Sequence, residues 1–194
     1  MPVTPDDVEA AAASVADALL PTTTRSWAGA PGTGTLDAWH TAEHLGDTLV
    51  SFAGQVLARP ADRFVRFAAV ADRDATPAEV VEMAVTGAGL LAAVVSTAAP
   101  GVRAFHPACV VDPEGFAAMG CAELLVHGED VARGLGVTVD PPRDVCTRVL
   151  ARLFPHVGDH LTGLDPWDGL LWATDRLAIA GLPSQAGWQW RAAP

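Results

Sequence analysis

The chain has no lysine. All 12 of its basic residues are arginine, set against 23 acids, for a net charge of −11 over 194 residues. That balance withholds the cationic footprint nucleic-acid binding requires and disfavours anionic membrane surfaces. The expected partner is a small molecule, with no nucleic acid and no membrane. Cysteine is scarce as well: Cys109, Cys121 and Cys146 form an odd set without a C-x-x-C. This argues against a disulfide framework and for a reducing, cytoplasmic setting. Met1 to Asp7 carries acids and none of the basic residues with which a secretory signal begins. The run Gly29 to Gly34 lacks the lysine and the preceding strand of a phosphate loop, and no serine nucleophile elbow or internal repeat is present. One stretch, Met83 to Val102, lacks charge and is long enough to span a bilayer. Its Ala, Gly, Thr and Ser content predicts a buried core helix instead.

What the chain does have is legible helix punctuation. Thr4-Pro5, Thr76-Pro77, Asp112-Pro113, Asp140-Pro141 and Asp165-Pro166 each set a capping side chain before a proline. Such a side chain accepts an orphan amide, and proline at the first helical position has no amide to strand. Asp7, Glu79 and Asp168 complete capping boxes. These signals predict helices over Pro5–Leu20, Leu36–Ala58 (capped by Thr35), Pro77–Ala98, Pro113–Arg133, Pro141–His160 with a kink at Pro155, and Pro166–Asp175. In the first, Val8, Ala12, Val15 and Leu19 form the apolar stripe. Arg63 to Ala71 reads as a short strand or ordered loop, with Val102 to Phe105 as a weak pairing partner. The expected fold is all-α: residues 1–136 a four-helix bundle and residues 137–194 a helical extension packed on it.

Glu123 and His127 stand four apart on the predicted fourth helix, and so share a face. His44 on the second helix can close the set. Two imidazoles and one carboxylate make a three-donor site with open positions, the pattern of a catalytic metal. Asp47 follows His44 by three residues and Asp130 follows His127 by three. Each is expected to take the second ring N–H of its histidine, the alternative being a pair of solvated acids. Trp39 and His40, one turn before His44, are expected to face a substrate; Arg176 is the candidate to hold an anion through its bidentate fork, the alternative being a surface arginine or one paired with Asp175.

Other patterns compete. His40 to His44 is a formal H-x-x-E-H with Glu43 as base, but proteases of that type are much larger. His156 and His160 share a spacing of four without an evident third ligand, and His106 reads as a loop residue within reach of the cavity mouth. Cys121, two residues from Glu123, points away from the metal face and reads as a small buried hydrophobe. Non-haem iron oxygenases use the same donor set on β-scaffolds, which this strand-poor sequence does not supply.

With those residues identified, the chain resembles the DinB-like, mycothiol-dependent maleylpyruvate isomerase group of actinobacterial proteins. The resemblance rests on the tryptophan-led helix ending A-E-H-L-G-D, on A-E-L-L-V-H-G-E-D-V-A-R-G-L-G, and on L-L-W-A-T-D-R…G-L-P…G-W-Q-W from Leu170 to Trp190. It implies a DinB-like bundle holding a divalent ion, usually zinc, through His44, Glu123 and His127. It also implies a thiol cofactor, mycothiol or another low-molecular-weight thiol, activated for isomerisation or S-transfer on a small electrophilic or acidic metabolite. The isomerases carry a fuller C-terminal α/β domain with a catalytic arginine, whereas the stretch after Gly136 here is short and helical in pattern. The competing class is a metal-binding module without catalysis, a sensor, carrier or protein partner. A homodimer is the default that base rates supply.

Overall fold

The computed structural model describes residues 1–191. Six α-helices carry the described chain: α1 Pro5–Leu19, α2 Ala38–Ala58, α3 Pro77–Thr97, α4 Pro113–Gly134, α5 Arg143–Leu153 and α6 Pro166–Ala173. A small antiparallel hairpin, β1 Ala104–His106 and β2 Cys109–Val111, precedes α4, with Phe105 opposite Val110. The architecture is therefore largely all-α. Helices α1 to α4 pack against one another, α5 lies on α4 and α1, and α6 on α5.

Local chemistry explains most of the boundaries. Thr4 and Thr76 form complete capping boxes with Asp7 and Glu79. At α6 the cap is one-sided, Asp165 accepting from the Trp167 and Asp168 amides. The stripe Val8, Ala12, Val15 and Leu19 is buried as its spacing requires. Two starts differ from expectation. Asp37, not Thr35, caps α2 and accepts the His40 amide, because a turn from Thr33 to Leu36 and the bridge between Pro31 and Asp37 fold the chain back just before the helix. Helix α5 begins after Pro142 without a side-chain cap. A residue that precedes proline is driven out of the helical region, so Pro141 cannot open a helix ahead of Pro142. Asp140 binds Arg143 instead. The kink expected at Pro155 is a full break: α5 stops at Leu153 and a 3₁₀ turn covers Pro155–His160.

The segment from 59 to 76 forms no strand. Several of its backbone groups are held by side chains of α2: Gln55 accepts from Val65 N and donates to the Arg63 carbonyl and, outside the segment, to the Phe105 carbonyl, Asp47 accepts from Ala69 N, and Glu43 from Ala71 N. These three side chains do the work of a β partner.

Helix α3 meets α2 closely, since a Cβ on Gly87 would lie 3.0 Å from the Gly46 carbonyl oxygen. By length and composition α3 is apolar enough to cross a membrane. In this structure it buries one face, with Val80, Val81, Ala84, Ala88, Leu91 and Ala92 inward. Val85 and Leu90 stay 42% and 47% exposed, so the core helix that its sequence predicts is buried along one face only.

The extension is pinned to the bundle by charge. Buried Asp7 receives a fork from Arg148 at 2.5 and 2.9 Å. Desolvation raises the Asp7 carboxyl, but the hydrogen bonds from Arg148 and Thr4 outweigh it and leave its pKa below the usual carboxylate value. A folded value below the unfolded one, about 3.9, means the pair stabilises fully above that pH and is lost as pH falls through the folded value. Arg148→Met is expected to cost about 3 kcal/mol at pH 7 and to flatten the acid limb of stability below the unfolded carboxylate value, measured by urea unfolding. An unchanged acid limb would remove Asp7 from this role.

Candidate metal centre

Helices α2 and α4 pack side by side and bring His44, Glu123 and His127 together, with one donor atom of each lying within 4.8 Å of the others. His127 Nε2 is 3.1 Å and His44 Nε2 4.0 Å from Glu123 Oε2. The two imidazoles meet edge to face at 5.5 Å. Glu123 Oε2 is buried and has no polar partner besides His127 Nε2, which faces it at 3.1 Å. The proton that His127 holds there is what an ion would replace, leaving two acceptors aimed at a common point. Donors about 2.0–2.1 Å from zinc in a tetrahedron stand about 3.3 Å apart, close to the His127–Glu123 separation. The residues fit a divalent ion. The Glu123 and His127 side chains are 13% and 17% exposed and His44 43%, so the cluster is walled on the α4 side and open at His44.

Asp130 meets the expectation placed on it: its Oδ2 lies 3.2 Å from His127 Nδ1, which fixes Nε2 toward the cluster. It also accepts from Thr33 Oγ1 at 2.8 Å and from Arg176 at 3.1 and 3.4 Å. Burial works to raise its carboxyl, but these donors hold it at about 2. Burial likewise depresses the His127 imidazole, and the carboxylates of Asp130 and Glu123 outweigh burial and lift it to about 9. Proton and metal therefore compete for this ring, and metal loading weakens as pH falls. Asp130→Asn is expected to weaken zinc binding by roughly 10–100-fold with little change in helicity, measured by competition with a chelating dye. Wild-type affinity in that variant would strip Asp130 of its orienting role.

Other expectations fare differently. Asp47 serves Ala69 N, and the nearest polar group to His44 Nδ1 is Thr48 Oγ1, at 3.5 Å. Arg176 is engaged by Asp130 and by the Thr174 carbonyl, and lies over the Trp188 ring at 5.8 Å. Glu43 serves Ala71 N and His40 pairs with Asp37 at 2.7 Å, which dismantles the H-x-x-E-H reading. Trp39 and His40 do line a cavity of about 480 Å³, one turn toward the start of α2 from His44. His106 sits against the rings of Phe52, Phe64 and Trp190, and Glu123 acts on it electrostatically, but it lies outside the three-donor cluster. His156 and His160 are exposed on the 3₁₀ turn, where a spacing of four does not share a face. Cys121 is fully buried and burial pushes its thiol far up, while Cys146 rises to about 12. Both are packing residues.

Sequence reasoning missed Thr33, which reaches Asp130 across 97 positions. No local signal marks such a contact. No protein-family model, no curated protein and no solved structure matches the chain.

Proposed function

We propose that the chain is a metal-dependent enzyme of the DinB-like, mycothiol-dependent transferase and isomerase type, with zinc held by His44, Glu123 and His127. The observation that carries the proposal is the convergence of two histidine nitrogens, at 3.1 and 4.0 Å, on a buried Glu123 oxygen. The packing of α1 and α2 on both α3 and α4, with α5 and α6 appended, agrees with a DinB-like bundle (1–136) and its extension (137–194). When bound, the ion supplies a Lewis-acid position that lowers the pKa of a coordinated thiol.

The protein's own residues supply the rest. Asp130 holds the His127 tautomer, Arg176 and Thr33 hold Asp130, and the exposed side of His44 admits a small thiol such as mycothiol. Because Arg176 is consumed by Asp130, S-transfer to a small electrophile fits better than isomerisation of a dicarboxylate that needs a free arginine. A metal module without turnover needs a closed site with a fourth protein donor. Among the described residues the cluster holds three, and its open side favours the enzyme.

The test incubates zinc-loaded protein with mycothiol and a panel of α,β-unsaturated acids, and follows thioether formation by mass spectrometry. Turnover that disappears in His44→Ala supports the reading. Rates equal in wild type and His44→Ala would sink it.

A further inference from the structure

The cavity beside Trp39 carries a chemistry of its own. It opens between the loop before α2, the first turns of α2 and the segment 59–76, and its volume of about 480 Å³ suits a metabolite. Trp27 and Trp39 wall it. Their indole N–H groups are already satisfied, by Thr22 Oγ1 at 3.1 Å and the Ala75 carbonyl at 2.9 Å. Trp27 is fully buried and backs the wall, so the ring surface a ligand meets is that of Trp39.

The charged lining is more selective. Among the described residues Arg73 makes no hydrogen bond or ion pair, so its whole guanidinium fork is available. Glu43 gives Oε1 to Ala71 N and keeps Oε2. Asp37 is occupied by the His40 amide and imidazole. The cavity therefore presents one open cation and one open anion against apolar walls. A simple carboxylate would meet Glu43 and Asp37, and a simple amine would meet Arg73, each an unfavourable approach.

We propose that this cavity binds a zwitterion: a free α-amino acid with an apolar or aromatic side chain, its carboxylate on Arg73, its ammonium on Glu43 and its side chain against Trp39. Arginine matches a carboxylate through two parallel hydrogen bonds, and an ammonium beside an indole gains a cation–π attraction. The site does not depend on the metal reading, since none of its groups is a metal donor.

The test is calorimetric titration of the full chain with L-phenylalanine and L-leucine, then with L-phenylalaninamide and N-acetyl-L-phenylalanine. At least one of the two amino acids should bind, and each blocked analogue should bind roughly tenfold or more weakly. Arg73→Gln should weaken the amino acid to the level of the amide and leave the amide unchanged. Glu43→Gln, which keeps an acceptor for Ala71, should do the same with respect to the N-acetyl compound. His127→Ala should keep the amino-acid affinity. The proposal falls if neither amino acid binds, if blocked and free forms bind alike, if both lining variants retain wild-type affinity, or if affinity vanishes in His127→Ala, which would place the ligand at the metal. Success here with a metal-free wild type would leave this site standing and the metal reading overturned.

Discussion

Glu123→Ala and His127→Ala proteins, purified without added metal, are expected to carry no ion where the wild type carries near-stoichiometric zinc, nickel or iron by mass spectrometry. Three donors reach the common point, and deleting either α4 donor leaves two, one of them on the exposed His44. The fold should survive. Removing Glu123 takes away one of the two carboxylates that raise the His127 imidazole, while alanine is the best helix former. Metal-free Glu123→Ala should therefore remain folded, and added zinc should raise the melting temperature of the wild type alone. A wild type that neither retains nor accepts a metal, or a Glu123→Ala that loads like it, would discard the centre.

Gly134→Ala is expected to destabilise the protein by about 3 kcal/mol, which at about 2–4 °C per kcal/mol for a chain of this size lowers the melting temperature by roughly 6–12 °C. An added Cβ would overlap the Pro31 carbonyl oxygen. That oxygen is backbone, on a loop tied down by the bonds Gly32 N to Leu36 O and Ala38 N to Ala30 O, so it cannot swing aside as a side-chain tip would. The same loop carries Thr33, so zinc affinity should fall together with stability. Gly89→Ala is the control. The Cβ there meets open space on α3, and the change should stabilise by about 0.5–1 kcal/mol. A Gly134→Ala protein that melts with the wild type would mean the loop yields more readily than its hydrogen bonds imply.

The readable parts of this chain are those whose causes are local. Thr4 and Asp7, or Thr76 and Glu79, lie three residues apart and need only one another. Glu123 and His127 share a face through helix geometry alone. His44 joins them because α2 packs beside α4, an adjacency that the resemblance implied and that helical periodicity does not specify. The misreadings have one physical origin. Acids on α2 look solvated, or poised for chemistry, until the segment 59–76 arrives to use Asp47 and Glu43 as acceptors. Arg176 looks available until the chain brings it back, 46 residues on, to Asp130. Polar side chains are claimed by backbone from distant segments, and no periodicity records that claim.

Asp130 accepts from three separate stretches of chain: the loop at Thr33, the helix at His127 and the tail at Arg176. Such sharing makes occupancy of the centre and docking of the tail reciprocal. Whatever factor Arg176 adds to the affinity for an ion, a bound ion returns to the closed position of the tail. Arg176 also underlies Trp188, which packs on Trp190 and Phe154. The indoles at the end of the described chain are thus reporters of events at a site that they do not touch. A protease nicking the chain near Gly187 would sense the ion as surely as a spectrometer would.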